Sequence, residues 1–301
     1  MASATGFPGP GAKGPPLVIV GAHSTAGKAI SRLWPDDRTL EVHRGSGSGI
    51  AVEDYRTVPH GAIPRGAVVV NCVGTPRGTP AELRAVNREV AEIWAEAAMA
   101  AGAQHFIQLS SFSVYGRQSL IGQATQEAPV NAYGESKLAA DRALEMMCGD
   151  RLRLSIVRIP MLCSEGPDKL SHLVKFVATI CAVPKLQPPV RRAMLTYPAL
   201  AEGVVQLIRA ERGGTVLFAD PTNFTYELLA ERFAAAGLSR PRAVPVPRWA
   251  SALTARFAAP IHARLLKSSE VEPGSAYPLT ISPEARLETL IDRLVRDGKR
   301  G

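Results

Sequence analysis

The chain has 301 residues, 46% of them hydrophobic and 21% charged, which is typical of a globular protein that buries one large core with a smaller lobe attached. It contains no run of about 18 apolar residues, so we expect no membrane span. The net charge of +8 favours an anionic partner. Because the basic residues are scattered and not interleaved with aromatic ones, a phosphorylated small molecule is favoured over nucleic acid.

The N-terminal sequence and the cysteines predict where the protein works. Residues 1–15 are rich in glycine, proline and alanine and lack the apolar centre of a secretion signal, which predicts a disordered arm. Cys72, Cys148, Cys163 and Cys181 lack the spacing of metal ligands. We therefore expect reduced thiols, no metal site and a cytoplasmic location.

The first half of the chain alternates short β-branched runs with amphipathic stretches. This pattern predicts an α/β fold with a doubly wound parallel sheet and helices on both faces. The predicted strands and helices follow in chain order: strand 16–21, helix 25–34, strand 39–44, strand 67–74, helix 81–101, strand 104–111, helix 132–147 and strand 153–160.

Beyond residue 160 the pattern loosens, and helices joined by proline-rich loops are predicted. They cover about 169–182, 200–209, 226–236 and 284–296, with one further strand at 215–220. We predict a main domain over 16–160 and a smaller lobe over 161–301 that is interleaved with late elements of the core.

A glycine-bounded turn, GAHSTAG at 21–27, joins the first predicted strand to the first helix. In that position backbone N–H groups and a helix N-terminus can bind a pyrophosphate. The candidate ligands in this turn are Gly21, Ser24, Thr25, Ala26 and Gly27. A plain strand-to-helix turn is the alternative interpretation.

The end of the second predicted strand indicates which dinucleotide would bind. An acid at that point bonds the ribose 2′-hydroxyl of NAD, whereas this strand ends in His43 and Arg44. An arginine there suits a 2′-phosphate, so NADP is predicted, with NAD as the alternative. Asp54 is a candidate for the adenine amino group, or it is an ordinary loop acid.

Tyr133 and Lys137 lie one helical turn apart on the predicted helix 132–147. An ammonium group at that spacing stabilises a phenolate, which predicts a lowered pKa for Tyr133 and an acid–base role. Ser111, at the end of the preceding strand, is placed to hydrogen-bond a reacting oxygen, with Ser110 and Ser113 as substitutes. Because this spacing often arises by chance, the prediction depends on all three features together.

Three stretches carry a resemblance to a known family: VIVGAHSTAG, VNREVAEIWAEAAMAAGAQHFIQLSSFSVYG and NAYGESKLAADRAL. They resemble the extended short-chain dehydrogenase/reductases, which include nucleotide-sugar epimerases, dehydratases and reductases. The resemblance implies an NAD(P)-binding Rossmann domain, a catalytic set at Ser111, Tyr133 and Lys137, and a C-terminal lobe for a sugar nucleotide. It also implies cofactor contacts at Val73, Gly74, Asn87, Tyr133, Lys137 and Pro160.

Two stretches carry a second resemblance, DKLSHLVKFVATICAVPKLQPPVRRAMLTYPALAEGVVQLI and VLFADPTNFTYELLAERFAAAG. Through them the C-terminal half looks most like bacterial nucleotide-sugar 4-ketoreductases of polysaccharide or natural-product pathways. This similarity implies that Arg192 contacts the substrate diphosphate, with a solvated loop cation as the alternative. Ser111 and Ser113, at the strand end, are the candidates for hydrogen bonds to the substrate. Ser24, Met161 and Pro198 depart from the family pattern, which has a glycine, an asparagine and an aspartate at those places.

Three functions remain open at this point. The first is NADPH-dependent reduction of a keto group on a nucleotide-linked sugar. The second is an epimerase that retains NAD, and the third is a non-catalytic NADP-binding regulator. The alanine-rich faces of 81–101 and 132–147 are candidates for a homodimer contact, or they belong to the core.

Overall fold

In the computed structural model, residues 14–34, 36–247, 249 and 267–298 are described. The predicted arm lies outside the described residues up to residue 13. The strands are β1 (Leu17–Val20), β2 (Thr39–His43), β3 (Ile50–Ala51), β4 (Val68–Asn71), β5 (His105–Ser111), β6 (Leu120–Ile121), β7 (Arg153–Ile159), β8 (Met161–Cys163), β9 (Ala182–Lys185), β10 (Met194–Thr196), β11 (Gly214–Leu217), β12 (Arg242–Pro245) and β13 (Glu270–Val271).

The helices follow the predicted positions closely. They are α1 (Thr25–Ser31), α2 (Pro80–Arg84), α3 (Val90–Ala100), α4 (Ala132–Cys148), α5 (Lys169–Ile180), α6 (Tyr197–Arg209), α7 (Tyr226–Ala235) and α8 (Leu287–Asp297). In the described part of the chain no helix is long and apolar enough to cross a membrane.

Seven strands form one parallel sheet in the order β11-β7-β5-β4-β1-β2-β3. The α/β fold class with a doubly wound parallel sheet is therefore confirmed. The chain runs from β1 outward to β3 on one side and from β4 outward to β11 on the other. In such sheets, ligands bind beyond the carboxyl ends of the strands where the order reverses, which here is between β1 and β4.

Apolar side chains of successive sheet residues alternate between two buried layers. Leu17 and Ile19 of β1 pack in one layer with α1 and α6, whereas Val18 and Val20 pack in the other with α3 and α4. Continuous Val/Ile runs suit parallel strands that are covered on both faces. This double burial makes the sheet a rigid base for the loops at its carboxyl edge.

Residues after 160 contribute to two places. β11 and α6 complete the main sheet and one of its layers. α5, α7 and α8 form a separate apolar cluster around Leu170, Leu229 and Ile291. Three short parallel pairs, β8–β10, β9–β12 and β6–β13, form separate two-stranded sheets. The domain boundary at residue 160 stays a prediction.

The predicted continuous helix 81–101 is interrupted. A π-helical turn, Ala85–Glu89, separates α2 from α3. The wider turn accompanies a buried Asn87, whose amide bonds the backbone of Thr75 and the hydroxyl of Ser136. Such turns occur often at functional sites, and the residues that Asn87 joins lie beside the predicted cofactor loop and beside Lys137.

Candidate active site

A cavity of about 560 Å³ lies at the carboxyl edge of the sheet, beside the point where the strand order reverses. Six of the predicted cofactor residues line it, including Ser24. The lining comprises Gly21, Ser24, Arg44, Glu53, Asp54, Tyr55, Arg56, Cys72, Val73, Gly74, Thr75, Arg77, Glu82, Ala85, Val86 and Val90. The sequence did not point to the part contributed by α2 and the π-helical turn.

The glycine turn has the tight backbone that a close ligand approach requires. Gly21 has a φ of +82°, which a glycine adopts without strain, and a Cβ on Gly27 would lie 2.5 Å from the Gly21 carbonyl oxygen. Ser24 caps α1 by accepting a hydrogen bond from the Gly27 N–H at 3.0 Å. Thr25 and Ala26 form the first turn of α1. The Ser24 hydroxyl therefore stabilises the turn by a hydrogen bond inside it.

Arg44 and Asp54 both line the cavity, but they make different contacts there. The Arg44 guanidinium lies over the Tyr55 ring, 5.6 Å from its centroid, and stays exposed. Asp54 is ion-paired with Arg56 at 2.6 Å, and this arginine lowers the pKa of the carboxyl group. An Asp54 contact to adenine would therefore share the carboxylate with Arg56.

The loop after β4 is fixed to the helices behind it. Val73 is held in place, because its N–H donates a hydrogen bond to the Asn71 side chain and its own side chain is buried. Thr75 is held by Asn87, and a Cβ on Gly74 would lie 3.8 Å from the Lys137 Nζ. The loop that forms this wall of the cavity therefore lies next to the Lys137 ammonium group of α4.

Ser111, Tyr133 and Lys137 come together at the end of β5. Asn131 caps α4, so that Tyr133 and Lys137 fall on its first two turns. Ser111 accepts a hydrogen bond from the Ser113 N–H at 3.1 Å and donates one to the Ser113 hydroxyl. The Lys137 ammonium is buried and donates to the Leu109 carbonyl at 2.6 Å.

The predicted lowering of the Tyr133 pKa is wrong for this structure. Burial raises the pKa of Tyr133, and a hydrogen bond with Ser111 offsets only part of that effect. The Asp141 carboxylate raises it further. The reason for the difference is desolvation, which spacing along a helix does not reveal.

Burial also lowers the pKa of Lys137 to about 8, while Asp141 acts in the opposite direction. Asp141 was missed by the sequence analysis, as was Arg158, whereas Ser110 was named there only as a substitute for Ser111. Its carboxylate accepts from Ser110 at 2.8 Å and from Arg158 at 3.2 Å. Arg158 also donates to the Tyr115 hydroxyl and to Glu127. The available signals were Asp141 at the next i+4 position after Lys137 and an arginine within an apolar strand.

The remaining predicted residues lie toward the C-terminal lobe. Pro160 joins β7 to β8. Arg192 lies before β10, and its Nε donates to the Lys267 carbonyl at 2.8 Å. The Lys267 ammonium in turn donates to the Gly116 carbonyl, five residues after Ser111. Arg192 is therefore linked through Lys267 to the loop that follows β5.

Other chemistry at this edge is limited. Among the residues with described coordinates, no group of three or more His, Cys, Asp or Glu side chains is arranged to hold a metal ion. The four cysteines are free thiols. His23 of the glycine turn stacks on His43 at the end of β2, with ring centroids 3.9 Å apart, and Arg44 follows His43 in the chain.

Comparison with known sequences gives one family match. Residues 59–188 match the model of the NAD dependent epimerase/dehydratase family. This segment runs from the residues before β4 to the loop after β9, and it contains Ser111, Tyr133 and Lys137. No curated protein matches the sequence at a significant level.

Solved structures share the fold over nearly the whole chain. UDP-glucuronic acid 4-epimerase from Bacillus cereus, in complex with NAD, has a TM-score of 0.69 and 14% identity, covering 94% of this chain and 98% of its own. A human epimerase family protein with NADPH has a TM-score of 0.70 and 17% identity, covering 93% and 99%. A dTDP-4-dehydrorhamnose reductase from Bacillus anthracis, in complex with NADP, has a TM-score of 0.65 and 14% identity, covering 95% and 99%.

The family match and the shared fold agree with an NAD(P)-dependent oxidoreductase of this type. They confirm the resemblance at the level of sequence pattern and fold: over residues 59–188 the chain has the pattern of the NAD dependent epimerase/dehydratase family, and it shares its fold with the epimerases and the reductase named above.

Proposed function

We propose that the protein reduces a keto group on a nucleotide-linked sugar with NADPH, as 4-ketoreductases do. The observation that carries the proposal is the group formed by Ser111, Tyr133 and Lys137 beside the 560 Å³ cavity. A protonated hydroxyl, a neighbouring hydrogen-bond donor and a buried cation are what carbonyl reduction requires.

The cavity suits a dinucleotide phosphate. The turn 21–27 offers backbone N–H groups at a helix start to the pyrophosphate, and Arg44 offers a cation to a 2′-phosphate. Val73 and Gly74 would contact the adenosine ribose, Asn87 would hold their loop, and Pro160 would border the nicotinamide end. The bound cofactor would supply the hydride.

The proton would come from Tyr133. Because burial raises the pKa of Tyr133, its hydroxyl is protonated at neutral pH, and this proton can be transferred to a developing alkoxide. Ser111, and Ser113 beside it, would donate hydrogen bonds to the same oxygen. Lys137 would bind the ribose hydroxyls and stabilise the phenolate that remains.

The substrate diphosphate would bind near Arg192. Arg192 and Lys267 are joined at the loop after β5, and the nearby charge of Arg117 acts on Lys267. Burial lowers the pKa of Lys267, and the charges of Arg117 and Arg192 lower it further. An anionic ligand would relieve this repulsion between like charges.

An NAD-retaining epimerase is the second candidate. It is favoured by the acidic residues Glu53 and Asp54 on the cavity wall and by the shared fold with UDP-glucuronic acid 4-epimerase. The same three catalytic residues serve both reactions. The nature of the bound nucleotide therefore separates the two.

The function is tested on the purified full chain in two steps. One sample of the protein is denatured, and any released nucleotide is identified. A second, folded sample is freed of nucleotide and assayed for NADPH oxidation with dTDP-4-dehydrorhamnose and other nucleotide-linked 4-keto sugars. An empty site with keto-sugar-dependent oxidation supports the reductase. Retained NAD with interconversion of UDP-glucuronic acid or UDP-glucose supports the epimerase. Dinucleotide binding without either reaction supports a non-catalytic regulator.

Cofactor choice is predicted to depend on Arg44. Replacing Arg44 with alanine removes the cation proposed for the 2′-phosphate, so the Kd for NADPH should rise about tenfold or more, while that for NADH stays nearly unchanged. Tryptophan-fluorescence titration of both cofactors measures the effect. Arg32→Ala serves as the control, because Arg32 is exposed and does not line the cavity. Equal weakening of both cofactors by Arg44→Ala would remove Arg44 from the specificity argument.

A further inference from the structure

A row of four charged side chains extends from the buried Lys137 toward the surface. We call the set Lys137, Asp141, Arg158 and Glu127 the charge row. Lys137 and Asp141 are one turn apart on α4, and Asp141 contacts Arg158 of β7 at 3.2 Å. Arg158 is ion-paired with Glu127 at the outer end, where the Glu127 side chain is 28% exposed.

Asp141 has an unusual position within this row. Its side chain is fully buried, and both of its hydrogen bonds, from Ser110 and Arg158, go to the same oxygen, Oδ2. The other oxygen, Oδ1, has no hydrogen-bond partner among the described residues. A buried carboxylate that leaves one oxygen unsatisfied is costly, so its retention calls for a role beyond packing.

The arrangement of charges supplies that role. Without Asp141, Lys137 and Arg158 would be two buried cations, and the partly exposed Glu127 would be the remaining counter-charge of the row. We propose that Asp141 is a positioning residue that acts through Lys137 by keeping it charged one helical turn after Tyr133, and that Arg158 keeps Asp141 ionised for this purpose. The proposal rests on the proposed function in so far as Lys137 acts there as a cation.

The surroundings of both groups agree with this assignment. The charges and titratable groups that act on Lys137 are Asp141 on its own helix and Cys72 after β4, with the Leu109 carbonyl of β5 as its acceptor. Burial raises the pKa of the Cys72 thiol to about 12, which keeps it neutral. Ser110, Arg158 and Lys137 act on Asp141, and Tyr115 and Glu127 act on Arg158.

The balance of burial and attraction defines a pH window. Burial lowers the pKa of Lys137 to about 8 and raises the pKa of Asp141 to about 6, while their mutual attraction opposes both shifts. Between these values both groups are charged. Removing the carboxylate takes away the attraction and leaves the desolvation, so the Lys137 pKa must fall.

The test measures the ionisation of Lys137 directly. The full chain is labelled with ¹³C at lysine Cε, the Lys137 resonance is assigned by its loss in Lys137→Arg, and its shift is followed from pH 5 to pH 11. In Asp141→Asn the Lys137 midpoint should move down by about one pH unit or more. Glu127→Gln changes the outer end of the same row and should leave the midpoint within a few tenths of a unit.

A Lys137 midpoint unchanged in folded Asp141→Asn would overturn the proposal. If this variant does not fold, the unsubstituted protein decides: its Lys137 resonance should show a second step near pH 6, where Asp141 is protonated, and a single step would overturn the proposal. Because the readout is independent of turnover, a shifted Lys137 in a protein without NADPH-dependent activity would refute the proposed function and leave the role of Asp141 intact.

Discussion

Replacing Tyr133 with phenylalanine is expected to lower turnover at least about 100-fold, because the only proposed proton donor to the substrate oxygen is removed. The ring and its packing remain, so NADPH should bind with a Kd changed by no more than a small factor. The rate of NADPH oxidation with the keto sugar that the unsubstituted protein reduces gives the first value, and fluorescence titration gives the second.

Tyr277→Phe is the matched control for this substitution. Tyr277 is a half-buried tyrosine that packs against Phe218 and does not line the cavity beside β1. Loss of its hydroxyl should leave turnover nearly unchanged. Retention of more than about one tenth of the activity in Tyr133→Phe would assign the proton to another group.

Replacing Arg158 with methionine should cost the fold about 3–5 kcal/mol in the free energy of unfolding, because the buried Asp141 carboxylate loses its ion-pair partner. Urea denaturation at pH 7 measures the loss. Arg142→Met is the matched control, since Arg142 pairs with the same Glu127 at 3.4 Å while its side chain is 63% exposed. Its loss should cost less than about 1 kcal/mol.

The cost of Arg158→Met should also depend on pH in a defined direction. The pKa of Asp141 is raised to about 6 by burial, and removal of Arg158 raises it further. Above this pKa the folded protein carries the unpaired charge and the full cost is present. As the pH falls from the raised pKa of the variant to about 6, the folded variant takes up a proton that the unsubstituted folded protein does not yet bind, so the loss relative to the unsubstituted protein should shrink over this range and stay constant below it. Equal losses in Arg158→Met and Arg142→Met, or a loss that grows on acidification, would contradict the buried pairing.

Much of the fold could be predicted because its signals are local. Buried runs such as those of β1 and β4 are continuous and β-branched, and α4 begins at an asparagine cap with clear helical periodicity. The sheet pairs β6–β13 and β8–β10 were not predicted, because strands of two or three residues have no readable periodicity. The π-helical turn at Asn87 was missed since its cause, the contacts to Thr75 and Ser136, is tertiary.

The candidate site shows the same division. The spacing of Tyr133 and Lys137 placed both on one helix face near Ser111, but it did not reveal how deeply they are buried. Burial decides the direction of both pKa shifts, and it depends on β5 and β7, which are distant in sequence. Asp141 and Arg158 were missed for this reason: the i+4 spacing and the apolar strand are visible in sequence, but the pairing and burial of the two charges are tertiary.

The cavity beside β1 and β4 is the proposed NADPH site, next to Tyr133 and Lys137. Titration of the nucleotide-free protein with NADPH and with NADH tests this site directly. We expect saturable binding of about one NADPH per chain, with NADH about tenfold weaker or more. Failure of both nucleotides to bind would contradict it, and would mean that Ser24 closes the phosphate turn.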